Sequence, residues 1–297
     1  MSPDGDPGAP RREPSNVARM LRLFDVDPDG ETNFTGVSDG GDRRVVDGSQ
    51  LLGQAIVAAS KVVSTHMVRS AHAVFARVVD DARPLAFDVD VTHRGRTVAA
   101  ALVTVTQGGR RCATVNILLD VPGPEVVRRE AAMPTAGTPG GATPFDMPLD
   151  GRELRLVGMA DPNDPDEVGP PVLDAWVRYR PVPGRPDLAR ALVAHFTGHL
   201  SISTTLRAHP GVGTAQAHRS LSTAVLTITV AFHEPVAWDG WLLYHHESTQ
   251  VGSGLSYVRG QVFTEEGHLL ASFAQEGLIR PFAERAEALG LPVEARL

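Results

Sequence analysis

One cysteine in 297 residues, Cys112, leaves no internal disulfide to be formed. A chain without cross-links suits a reducing compartment, so a cytoplasmic placement is expected, and a thiol in an alternating apolar stretch reads as a buried structural one. No apolar run approaches the ~18 residues that a membrane span requires. The opening MSPDGDPGAPRREPS also lacks the apolar segment of an export signal. Excess positive charge is missing as well. A formal net charge of −7 argues against a polyanion-coating protein, so nucleic acid is not an expected partner. Walker loop, G-x-S-x-G elbow and Rossmann glycine fingerprint are all missing, which removes the commonest nucleotide and serine-hydrolase readings.

What is present is the composition of a folded protein, 42% hydrophobic and 21% charged, at a length that suits about two compact units. Residues 1–15, rich in Pro, Gly and charge, read as a disordered leader. A second Pro/Gly/Thr-rich stretch without apolar periodicity, 122–152, reads as a linker. The expected domains are therefore 16–121 and 153–297. For an anionic small ligand the pairs Arg43/Arg44 and Arg110/Arg111 are candidate contacts, although adjacent arginines also occur simply in solvated loops.

From Gln50 to Val63, apolar Leu51, Ile56, Ala59 and Val63 recur at helical spacing among good helix formers. Alternating runs follow at 72–77, 85–92, 97–106 and 112–119, with turn residues at His93-Arg94-Gly95 and Gln107-Gly108-Gly109. The second half repeats the order: a helix over 186–208, then strands at 224–232, 241–248, 254–264 and 269–276. TQGGRRCATVNILL from Thr106 aligns with TEEGHLLASFAQEG from Thr264, and 264 − 106 and 267 − 109 both give 158. A constant offset with matching turns marks an internal repeat. The expected fold is α+β, two tandem units in which a curved antiparallel sheet wraps one apolar helix. This is the hotdog arrangement, and two copies can join sheets edge to edge.

Three segments carry a resemblance to the type II (TesB-like) acyl-CoA thioesterases. Gly48-Ser49-Gln50-Leu51-Leu52-Gly53-Gln54-Ala55 resembles the family's G-G-Q-x-x-G-Q-A helix start, and Ser70-Ala71-His72-Ala73-Val74-Phe75 its S-x-H-x-x-F strand. Phe232-His233-Glu234-Pro235, Trp241-Leu242-Leu243-Tyr244 and Glu247-Ser248 are similar to F-H-R-P…W-L-L-Y-x-x-E-S. GLSYVRG from Gly254, continuing to Gln275-Glu276-Gly277-Leu278-Ile279-Arg280, resembles the family's closing R-G-x-x-x-G and Q-E-G-x-x-R. The resemblance implies a double hotdog that forms a homo-oligomer, dimer or higher, and acts on fatty acyl thioesters of coenzyme A. It implies no cofactor beyond the CoA of the substrate, and no metal.

It also implies a water held by a helix Asp, a strand Ser or Thr and a strand Gln. Gln275 matches the last. The Ser/Thr position, counted back from His233, holds Val225, followed by Leu226, Thr227 and Ile228; the Asp position, counted back from Leu206, holds Gly198. Neither replacement offers a polar side chain. His199, next to Gly198, is a candidate general base, with Thr227 and Gln275 holding the water; Thr223 and Thr227 share a face with Val225 if the strand alternates. The alternative is that His199 is an ordinary helix histidine and Thr227 an ordinary strand former. A second candidate group is Gln50 and Gln54, one helical turn apart, with His72 on the next strand, where they would meet a substrate carbonyl or serve in packing. His245-His246-Glu247 on one strand and His195/His199 on a helix do not reach a metal-ligand pattern. Loss of two polar positions keeps a second reading open, a double hotdog that binds acyl-CoA without hydrolysing it. A hotdog hydratase is disfavoured, because its Asp and His pair at the helix start is missing.

Overall fold

The computed structural model describes residues 16–41, 44–236 and 240–282; the expected leader and Arg43 lie outside them. The first half holds α1 (Val17–Phe24), β1 (Asp27–Pro28), β2 (Asn33–Gly36), α2 (Gly48–Val62), β3 (Met67–Phe75), β4 (Leu85–Arg94), β5 (Val98–Gln107) and β6 (Arg110–Asp120). After β7 (Thr143–Pro144) and β8 (Arg152–Val157), the second half runs through β9 (Val172–Tyr179), α3 (Pro186–Thr197), α4 (Ser201–Leu206), β10 (Leu221–Phe232), β11 (Leu242–Gly252), β12 (Leu255–Thr264) and β13 (Leu269–Pro281). None of these helices is long and apolar enough to cross a membrane.

The strands form one antiparallel sheet in the order β1-β2-β4-β5-β6-β3-β10-β13-β12-β11-β9-β8-β7. Each half is a hotdog unit. The order β2-β4-β5-β6-β3 in the first is matched by β9-β11-β12-β13-β10 in the second, and the two sheets join only where β3 pairs with β10. Two edges that would invite foreign strands are thereby used up against each other. Across this seam Arg69 reaches the carbonyls of Phe232 and His233 at 2.9 and 3.3 Å while its other nitrogens hold Asp120. Segment 122–152 does more than connect. Its Ala136 and Ala142 are buried against Trp176, Leu243 and Phe263 in a small second core.

α2 starts where the Asp47 side chain accepts from Ser49 N–H, satisfying one of the free donors of the first turn. Its residues from Ser49 to Ala59 are all buried, as expected of a helix that is apolar on every side. It lies over β3–β6 and packs chiefly against α3, whose far end meets its start. The approach is close. A Cβ on Gly53 would come within 2.8 Å of the Phe24 ring and 3.3 Å of the Ala191 carbonyl oxygen. The second helix is not continuous, in contrast to the single helix expected over 186–208. It stops at Gly198, and Leu200 takes the left-handed conformation (φ 63°) before α4 begins. A non-glycine residue there is strained and resets the helix direction. α4 then lies over β9, β11, β12 and β13.

Because Gly53 has no room for a side chain, Gly53→Val should lower unfolding stability by more than about 1 kcal/mol in urea denaturation, although valine is the better helix former. Unchanged stability would show that α2 and α3 are not held this close.

Candidate active site

Gln275 is 1% exposed, on the face of β13 that meets the α3–α4 break. Its Nε2 donates to the Thr197 carbonyl at 2.9 Å, and its Oε1 accepts from the Ser201 hydroxyl. The amide is held at both ends, which leaves one N–H and one lone pair for a further partner. Behind it, Thr205 and Ser248 join hydroxyls at 3.0 Å, tying α4 to β11.

Gly198 closes α3 and faces the start of α2. A Cβ at this position would lie 2.4 Å from Ser49 Cβ and 2.7 Å from Ser49 Oγ. A carboxylate side chain is therefore sterically excluded here unless Ser49 changes too. Ser49 is wholly buried, and its Oγ has no hydrogen-bond partner. Leaving such a hydroxyl unpaired costs about 1–3 kcal/mol. The serine sits where the resemblance places the second glycine of G-G-Q, and the glycine sits where it places the Asp. Small and polar have changed places across one contact, and a polar atom is kept at the helix crossing. This serine was the signal missed in the sequence, together with Ser201 in the polar run Ser201-Ile202-Ser203-Thr204-Thr205.

His199 follows Gly198 at the break. Its ring stacks on Phe196 at 5.3 Å, its Nδ1 faces the His195 carbonyl at 3.1 Å, and its Nε2 lies 3.8 Å from Asp47 Oδ2. Burial lowers its pKa; the Asp47 charge acts against that and the Arg152 charge with it. The neighbouring His195 is driven much further down, chiefly by burial and then by His199. With Nδ1–H donating to His195, the neutral ring presents Nε2 as a proton acceptor.

Thr227 does not join this group. A register shift leaves Leu226 unpaired between Val225↔Gly277 and Thr227↔Glu276, so the expected alternation breaks and Thr227 turns to the opposite face. There its hydroxyl donates to Glu276 Oε2 at 3.0 Å, next to Gln275 in sequence but across the sheet from it. Val225 is half-buried and packs on the core.

Gln50, Gln54 and His72 are not brought together either. Gln50 bonds the backbone N–H and carbonyl of Asp39, at 2.9 and 3.3 Å. Gln54 Nε2 donates to the Leu23 and Val37 carbonyls, both at 2.8 Å. The glutamines thus pin segment 23–39 to α2. His72, between buried Ala71 and Ala73, points to the other face of the sheet and meets Thr229 Oγ1 at 2.7 Å across the seam. His245 pairs with Asp174 at 2.7 Å while His246 is buried behind it, its pKa lowered to about 4 mainly by burial. Among the described residues no group of three His, Cys, Asp or Glu could hold a metal ion.

Residues 40–119 match the acyl-CoA thioesterase N-terminal domain and residues 121–279 the acyl-CoA thioesterase C-terminal domain. Human acyl-coenzyme A thioesterase 8 is 26% identical over 93% of this chain and 93% of its own. Acyl-CoA thioesterase 2 of Haemophilus influenzae is 26% identical over 90% of this chain and 97% of its own. Among solved structures, a TesB protein of Mycobacterium avium subsp. paratuberculosis superposes with a TM-score of 0.77 at 24% identity, covering 90% of this chain and 100% of that one. An acyl-CoA thioesterase II from Mycobacterium marinum gives 0.74 at 24% identity, covering 89% and 97%. These two share the fold. With both halves of the double hotdog matched in order over most of its length, the chain belongs to the acyl-CoA thioesterase family.

Proposed function

We propose that the protein hydrolyses fatty acyl-CoA to the free acid and CoA at the α3–α4 break. The observation that carries this reading is Gln275, buried and held between Thr197 and Ser201, beside a glycine whose missing side chain is replaced by the unpaired hydroxyl of Ser49. In the proposed step the free N–H of Gln275 and the Ser49 hydroxyl hold the water. His199 Nε2 takes its proton as the water oxygen bonds to the thioester carbon. The tetrahedral intermediate then expels the CoA thiolate, which recovers that proton from His199. Amides and hydroxyls do not accept protons at neutral pH, so the base in this reading is His199, whose ring burial keeps neutral. The reaction needs no cofactor beyond the CoA of the substrate. A homo-oligomer remains the expected state.

The second reading, acyl-CoA binding without turnover, is favoured by the exclusion of any carboxylate at position 198. Thiol release from octanoyl-CoA separates the two, since a binder would take up the thioester and release no thiol. If the reading is right, Gln275→Ala should lower kcat/KM by about 10²-fold or more, and an unchanged rate would remove Gln275 from the chemistry.

The pH dependence follows from His199. A lowered folded pKa keeps the neutral, proton-accepting ring at pH 7, so kcat/KM should stay flat above pH ~6.5 and fall only below it. His199→Ala should abolish that acid limb and cost about 10²-fold in rate. A limb that survives the substitution belongs to another group.

Gly198→Asp alone should destabilise the protein through the Ser49 clash. Combined with Ser49→Gly it should fold and turn over octanoyl-CoA about tenfold faster than the unmodified protein. A double variant no better folded than the single one would contradict the exchange.

A further inference from the structure

The crossing of α2 and α3 has a second end. Aligning the first residues of the two helices sets Asp187 at the place of Ser49 and Ser60 at the place of Gly198. The active-site corner therefore has a counterpart formed by the end of α2 and the start of α3, and a cavity of about 510 Å³ opens there. Its walls include Lys61, His66, Met67, Arg185, Asp187 and Arg190.

The charges around it are matched, with one exception. Lys61 and Arg185 both hold Asp25, at 2.6 and 2.8 Å, and Arg185 also holds Asp187 at 2.6 Å. Arg69, nearby, holds Asp120 at 2.8 Å. Arg190 is only 5% exposed and has no ion pair among the described residues. Its contacts are the Pro186 carbonyl at 3.4 Å, the Met67 sulfur at 3.5 Å and the face of Phe232 at 5.8 Å, while its Nε has no partner. Burial, and then the Arg69 charge, push its pKa down, while the Asp120 and Asp187 charges act against them. A second donor stands unused beside it. His66 is 9% exposed, and where Thr65 donates to its Nδ1 at 2.9 Å the ring proton resides on Nε2, which has no partner.

The carboxylates that act on it, Asp120 and Asp187, are each held by another arginine, so this buried guanidinium has no ion pair of its own, an arrangement that costs stability unless a further anion supplies one. The cavity joins an apolar strip of Met67, Val68 and Pro186 to a polar side on which Lys61, Arg185 and Asp187 are already ion-paired and Arg190 is not, which suits a single negative headgroup on a hydrocarbon chain. We infer that this pocket binds the carboxylate of an alkyl acid, the headgroup on Arg190 and His66 and the chain along Met67, Val68 and Pro186. The site is separate from Gln275, at the opposite end of the helix pair, and its occupancy does not require turnover.

The test is calorimetric titration of the full chain with octanoate, alongside octanol and inorganic phosphate. Octanoate should bind saturably, and the other two should bind at least about tenfold more weakly. Arg190→Met should weaken octanoate by at least about tenfold and, with the buried charge removed, should melt at the same temperature as the unmodified protein or higher. Arg190→Lys, which keeps the charge, should retain binding and guards against a Met variant that fails to fold. Octanol or phosphate binding as well as octanoate would overturn the proposal, as would octanoate binding that Arg190→Met leaves unchanged. Gln275→Ala should leave octanoate binding unchanged; if it abolishes it, the ligand is at the hydrolytic corner and the second pocket is refuted. Failure of thiol release with Arg190-dependent octanoate binding intact would instead count against the thioesterase reading alone.

Discussion

The close crossing of α2 and α3 is the constraint on which the rest of the molecule rests. The helices approach until Gly53 has no space for a methyl group and Gly198 touches the Ser49 side chain. Each hotdog half brings one apolar helix, and each helix covers the other on the side its own sheet leaves open. The β3–β10 seam then fixes the two sheets in one surface. Opposed helices must present two ends, each built from the start of one helix and the finish of the other. Both ends carry polar chemistry, though of different kinds: an amide and hydroxyls at one, a buried guanidinium without an ion pair at the other.

The exchange between positions 49 and 198 ties packing to chemistry. Two side chains cannot both occupy that crossing, so an acid on one helix requires a glycine on the other. This chain takes the opposite solution, keeping a hydroxyl from α2 and giving up the side chain from α3. Position 198 alone has no polar side chain, whereas the contact as a whole keeps one. The charge that an aspartate would have contributed is not replaced by Ser49, and the residue after Gly198 is His199, whose pKa burial lowers.

Much of the fold was readable from period-two and helical spacing. The 158-residue offset aligns β3–β6 with β10–β13 nearly residue for residue, because repeated hairpins keep their turns. The burial of Gln275 against the α3–α4 break agrees with the motif around it. What was not readable depended on local breaks in periodicity. The bulge at Leu226 reverses the faces of all that follows, so Thr227, placed by alternation beside Gln275, lies on the other side of the sheet. The left-handed Leu200 divides a helix whose apolar pattern runs straight through it. Gln50 and Gln54 do share one side of α2, but what faces them is the backbone of 23–39 and not a cavity, and no helical pattern encodes the identity of the neighbour. Ser49 was equally invisible, since its meaning lies in a contact with a residue far along the chain.

Hydrolysis at the α3–α4 break requires the thioester carbonyl to lie there. A crystal structure with a non-hydrolysable ketone analogue of octanoyl-CoA, carrying a methylene between sulfur and carbonyl, would locate it. The expected result is a carbonyl carbon at the α3–α4 break, within reach of a water shared by Gln275 Nε2 and Ser49 Oγ. A ligand bound with its carbonyl away from that corner would contradict it.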